Sequence, residues 1–140
     1  MNRITREATQ ASLPEIMAFV ARETAGARLD AETVTSVRLA AEEVCSNIIR
    51  YAYPPGTPGP VDVSVAREAG AVIVTVEDRG MPFDPASAPA PLLEGDWQTR
   101  ALGGLGWHLV RSVMDEVRYE PLAGGGNRVT LVRRLPLTES

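Results

Sequence analysis

The order of elements legible in these 140 residues predicts an α/β chain of the α+β kind. The expected architecture is a two-layer sandwich with a mostly antiparallel, mixed sheet and helices on one face. Three observations predict it: two consecutive amphipathic helical patterns near the start, two alternating β-branched runs after them, and a closing helical pattern followed by a terminal strand pair. Together they give the order β-α-α-β-β-loop-α-β-β.

Residues 3–9 (RITREAT) read as a short edge strand. Ser12-Leu-Pro-Glu15 then has the form of a helix start. Ser12 can cap free backbone N–H groups, Glu15 can reciprocate, and Pro14 is tolerated in a first turn. Leu13, Ile16, Met17 and Val20 recur at helical spacing and Gly26 is a stop, which predicts a helix over 13–26. Asp30 caps a longer helix over 31–52, with Val34, Val37, Ala41, Val44, Ile48 and Tyr51 as its apolar face. The segment PPGTPGP at 54–60 ends it, because proline cannot continue the hydrogen-bond ladder.

Val61, Val63 and Val65 alternate with Asp62 and Ser64, the period of a half-buried strand, and Ala71–Glu77 is a second β-branched run. Arg67–Gly70 between them can turn a hairpin. From Asp78 to Gly106 periodicity is lost in a stretch rich in proline and glycine. A loop of that length in a compact domain is functional or disordered. Helical spacing resumes at Trp107 with Leu109, Val110, Val113 and Met114. Val117–Tyr119, a glycine turn at 124–126 and Arg128–Leu135 then complete a terminal hairpin.

Composition bounds the chemistry. A net charge of -4 and a pI near 5.0 lack the basic footprint of direct nucleic-acid binding. No apolar run approaches the ~20 residues of a membrane helix, and the N-terminus has no signal-peptide pattern. One cysteine, Cys45, cannot form an internal disulfide, so the chain reads as cytoplasmic. With His108 as the single histidine, a Cys/His metal cluster is excluded. The length fits a single domain over residues 1–140.

Four local features carry chemistry. Glu43 and Asn47 are four residues apart and share a helix face, which Arg50 extends. A carboxamide oxygen is a hard ligand for Mg²⁺, and a carboxylate can orient or deprotonate a nucleophile. Asp78, at a strand end and followed by Gly80, can seat the exocyclic amine of a purine with room for its ring. Gly103-Gly-Leu-Gly106 precedes a helix, whose free N–H groups favour a phosphate. Gly124-Gly-Gly-Asn127 reads as a hairpin turn and Thr130 as a strand residue. Each feature is also what an ordinary helix face, turn or loop looks like; their order is more specific.

EEVCSNIIRYAY, DRGMPFDP at a strand end, GGLGWHLVRSVMDEVRY and GGGNRVTL, in that order, resemble the ATPase superfamily of gyrase, Hsp90 chaperones, histidine kinases and mismatch-repair proteins. Within it, residues 12–135 look like the short anti-sigma factor serine kinases. The resemblance implies the superfamily's Bergerat-type ATP-binding fold, an ATP lid over about 84–104, and ATP with Mg²⁺ as cofactors. It implies Glu43 as general base, Asn47 as Mg²⁺ ligand, and Asp78 on the adenine amine with Gly80 giving the base room. Gly104 and Gly106 would line the phosphates and Thr130 would lie near the adenine. Family members often carry an arginine within or just before the glycines. Leu102 and Leu105 occupy the nearby positions here, and Arg100 is the closest candidate for that role.

The implied activity is phosphorylation of a serine on a STAS-domain anti-sigma factor antagonist, which regulates transcription by partner switching. A sigma factor and a second copy of the chain are further expected partners. The alternative is a nucleotide-gated binding module that sequesters a regulator with little or no phosphoryl transfer.

Overall fold

The computed structural model describes residues 2–26, 29–81 and 107–135. The elements are β1 (Asn2–Glu7), α1 (Leu13–Gly26), α2 (Ala31–Tyr51), β2 (Pro60–Glu68) and β3 (Ala71–Asp78). A helix α3 covers 107–113, followed by β4 (Glu116–Pro121) and β5 (Asn127–Arg134). A short 3₁₀ turn, Gln10–Ser12, leads into α1. None of the described helices is long and apolar enough to cross a membrane.

The five strands form one sheet in the order β1-β2-β3-β5-β4. Every adjacent pair is antiparallel, so no parallel pair makes the sheet mixed among the described strands. The tightest connection is the Ala69-Gly70 turn between β2 and β3. Both residues have positive φ, 46° and 78°, the conformation whose twist matches that of the flanking strands.

Alternation assigns the two faces of the sheet. Val61, Val63 and Val65 of β2, Val72, Val74 and Val76 of β3, and Val129 and Leu131 of β5 are buried on the face that α1, α2 and α3 cover. Ile16, Phe19 and Val20 of α1, Val37, Ala41, Val44 and Ile48 of α2, and Trp107 and Val110 of α3 complete this one core. Burying such side chains stabilises the fold by roughly 1.5–3 kcal/mol each. The opposite face carries charged pairs around Ile73 and Val132, with Arg128 paired to Glu77 at 2.7 Å and to Glu120 at 3.2 Å, and Arg134 paired to Glu116 at 2.8 Å.

Two local expectations are corrected. The predicted Ser12/Glu15 capping box does not form. Thr9 accepts from the Ser12 N–H at 3.3 Å, and Glu15 pairs instead with Arg6 at 2.6 Å. The extra turn before α1 moves the cap upstream of the position that sequence spacing favours. On α2, Tyr51 leaves the apolar face and is 48% exposed, while Thr33, Ser36, Ala40, Cys45 and Asn47 join it. The buried stripe is broader than its hydrophobic members because α2 packs both on the sheet and against α1 beside it. Asp30 caps α2 as expected, accepting from the Thr33 N–H at 3.4 Å. Cys45 is wholly buried on α2, and burial pushes its thiol pKa up to about 12.

Candidate functional site

The end of α2 is fastened to the end of β3. The Met81 N–H donates to the Ala52 carbonyl at 3.0 Å. A β-carbon at Gly80 would lie 2.2 Å from that same oxygen, so only glycine lets the chain pass there. Tyr53 adds a second tie. Its hydroxyl donates to the Pro60 carbonyl at 2.6 Å and accepts from the Arg79 N–H at 2.7 Å.

These contacts set Asp78 beside the C-terminal end of α2. Asn47 lies five residues before Ala52 and Glu43 four residues before that, about 7.5 and 13.5 Å back along the helix axis at 1.5 Å per residue. The result is a line of polar groups: a carboxylate at the strand end, a carboxamide one to two turns up the helix, and a second carboxylate one turn further.

Asp78 is buried. Its Oδ1 accepts from the Gly80 N–H at 2.7 Å and from Asn127 Nδ2 at 3.0 Å. Both bonds fall on one oxygen, which leaves Oδ2 as the remaining acceptor. Burial raises the pKa of this carboxyl above the usual aspartate value; the bonds from Asn127 and Gly80 and the charge of Arg79 oppose that rise.

Asn47 is 7% exposed, and among the described residues neither its Nδ2 nor its Oδ1 has a hydrogen-bond partner. A buried polar atom without a partner costs about 1–3 kcal/mol. A ligand can satisfy such a group, and the unpaired oxygen lone pairs of a carboxamide suit a hard cation. Glu43 is half-buried. Burial raises its pKa first; Arg50 opposes this and Glu42 adds to it. A half-buried carboxylate with a raised pKa is suited to accept a proton.

Of the residues singled out from sequence, Glu43, Asn47, Asp78 and Gly80 therefore fall on one connected stretch of α2 and β3. Arg100, Gly104 and Gly106, with the lid over 84–104, lie outside the described residues. Thr130 is not brought to the others. It stands opposite Thr75 and Arg118 in the sheet register, on the face away from the helices, whereas Asp78 is on the core face opposite Asn127. Asn127, read from sequence as part of a turn, is the β5 residue at the site. The signal that could have found it is strand parity: Asn127, Val129 and Leu131 share a face, and Thr130 has the other parity.

Gly126 explains how Asn127 comes so close. It has a φ of 112°, and a β-carbon there would lie 2.2 Å from the Asp78 carbonyl oxygen.

Residues 6–133 match the histidine kinase-like ATPase domain family. The chain is 31% identical to an anti-sigma F factor of Pasteuria penetrans, over 96% of this chain and 91% of that one. It is 29% identical to the serine/threonine-protein kinase BtrW of Bordetella bronchiseptica, over 69% of this chain and 67% of that protein. Its fold is similar to the RsbU and RsbW domain structure from Mycobacterium tuberculosis, with a TM-score of 0.64 at 21% identity. That match covers 96% of this chain, which spans about a third (31%) of the other's length. It is also similar to the histidine kinase domain of a blue-light activated kinase from Erythrobacter litoralis, with a TM-score of 0.57 at 21% identity over 89% of this chain and 60% of that one.

Proposed function

We propose, from the premise that this chain belongs to the histidine kinase-like ATPase domain family, that it is a protein kinase acting on a serine of a regulatory partner. The partner class is a STAS-domain anti-sigma factor antagonist, and the setting is partner switching around a sigma factor. Relatives named as an anti-sigma F factor and as a serine/threonine-protein kinase support this reading.

The observation that carries it is the buried carboxamide of Asn47 with no protein partner among the described residues, in line with the available oxygen of Asp78. ATP lying along the end of α2 satisfies both. Asp78 Oδ2 accepts from the adenine amine, and Gly80 leaves room for the ring. Asn47 Oδ1 would hold Mg²⁺, which would neutralise phosphate charge. Glu43 accepts the proton of the substrate serine hydroxyl as its oxygen bonds the γ-phosphorus. The bond from that phosphorus to the bridging oxygen breaks, and ADP leaves. Gly104 and Gly106 are proposed to line the phosphates, with Arg100 the candidate for the arginine and 84–104 the lid.

The test is incubation with γ-labelled ATP, Mg²⁺ and a STAS-domain partner. Label on a partner serine, lost with Glu43→Gln, is the expected result; binding of ATP with no transfer to any such partner rejects the kinase. A nucleotide-gated binding module is the second reading. It is favoured by Leu102 and Leu105 standing where family members often carry an arginine.

A further inference from the structure

We infer that Asn127, oriented by Tyr119, is a positioning residue that sets the choice of nucleobase by occupying one oxygen of Asp78. The inference rests on the adenine reading of Asp78 given above.

Asn127 is buried, and its amide is fixed at all three corners. Nδ2 donates to Asp78 Oδ1 at 3.0 Å and to the Met81 carbonyl at 2.8 Å, and Oδ1 accepts from the Tyr119 hydroxyl at 2.6 Å. These contacts agree on one orientation. A flipped amide would set its oxygen against a carboxylate and a carbonyl, two acceptors. The sheet register supplies the geometry. Asn127 is directly opposite Asp78, and Tyr119 of β4 is opposite Val129, hence diagonal to Asn127 on the same face.

The chemical consequence concerns the acceptor left over. Asn127 and the Gly80 N–H both donate to Oδ1, which turns the carboxylate and favours its ionised form, whose Oδ2 accepts. A purine with an amine at the facing position donates to it. A purine with a carbonyl there sets oxygen against oxygen. Without Asn127, burial favours the protonated carboxyl, which can donate to a carbonyl, so the distinction between bases weakens. Among the described residues, the other titratable groups around this carboxyl are Arg79 next to it, Tyr53 from the end of α2 and Tyr119 from β4.

The experiment measures the Kd of ATP and of ITP, which carries a carbonyl in place of the amine, on the full chain and on Asn127→Ala and Tyr119→Phe. The wild-type chain prefers ATP. Asn127→Ala reduces that preference roughly tenfold or more, as expected for losing a hydrogen bond to a charged group, and Tyr119→Phe reduces it about threefold. A merely structural role would weaken both nucleotides in parallel. An unchanged ATP/ITP ratio in both variants overturns the inference, even with both affinities reduced. Should Asn127→Ala fail to fold, Tyr119→Phe, which removes one hydroxyl, decides alone. Equal binding of ATP and ITP by the wild-type chain removes the adenine reading itself, and this inference with it.

Discussion

Gly80 rests on Ala52 with no room for a methyl group: a β-carbon would lie 2.2 Å from the Ala52 carbonyl oxygen and 2.7 Å from its carbonyl carbon. The obstruction is backbone, which cannot rotate aside. Gly80→Ala must therefore separate the end of β3 from the end of α2. The expected cost is about 1–3 kcal/mol of stability, the range for overpacking, together with weakened nucleotide binding. Thermal unfolding and ATP titration check both. Wild-type values in each would show that the two ends can part without consequence.

Asn47→Ala should separate function from stability in the opposite direction. The wild-type fold buries an amide that has no partner among the described residues, so its removal relieves a desolvation penalty. The free variant is expected to melt at or above the wild-type temperature while Mg-dependent ATP affinity is lost. Calorimetry of ATP binding with and without Mg²⁺ measures the second. Retained Mg-dependent affinity would take Asn47 out of the metal site.

Glu43 makes a pH prediction. Its folded pKa is raised by burial, so between the unfolded value and that raised value the folded state holds more protons than the unfolded one, and stability falls as pH rises through this window. Glu43→Gln removes that loss. The variant should match the wild type in strong acid and be at least as stable at neutral pH, while still binding ATP and failing to transfer phosphate. Because Arg50 opposes the rise, Arg50→Ala should move the acid limb of the transfer rate to higher pH. An unmoved limb would detach Glu43 from that titration.

Tyr53→Phe tests the second tie between α2 and the strands. It removes a donor to Pro60 and an acceptor for the Arg79 N–H. A loss of about 1–2 kcal/mol is expected for the two bonds, less any bond that water takes over. Chemical denaturation reads the loss, and an unchanged midpoint would mean that water replaces the hydroxyl fully.

Much of this arrangement is legible in the chain because its periodicities are clean. The Val61/Val63/Val65 alternation, the run at 71–77 and the spacing of α1 and α2 each announce one element, and the bounds of α1 coincide with the structure. Asn47 and Glu43 could be placed on a shared helix face from spacing alone. What periodicity does not state is which neighbour an element meets. Tyr51 looks like core until α2 is set beside α1 on the sheet. Thr130 and Asn127 are separated only by strand pairing, which fixes the face that each parity presents, and by the close approach of Gly126 to the Asp78 backbone. That approach is a contact between residues 48 positions apart, and no local pattern encodes it.

Cys45 has a consequence of a different kind. It is the sole thiol of the chain, sits two residues from both Glu43 and Asn47, and is fully buried. Its modification by a thiol reagent must wait for the core around α2 to open, so the labelling rate counts those openings without any added probe. Nucleotide that bridges α2 and β3 should slow the count in proportion to its occupancy. The helix that bears Glu43 and Asn47 thus also carries an intrinsic reporter of how often it separates from its neighbours.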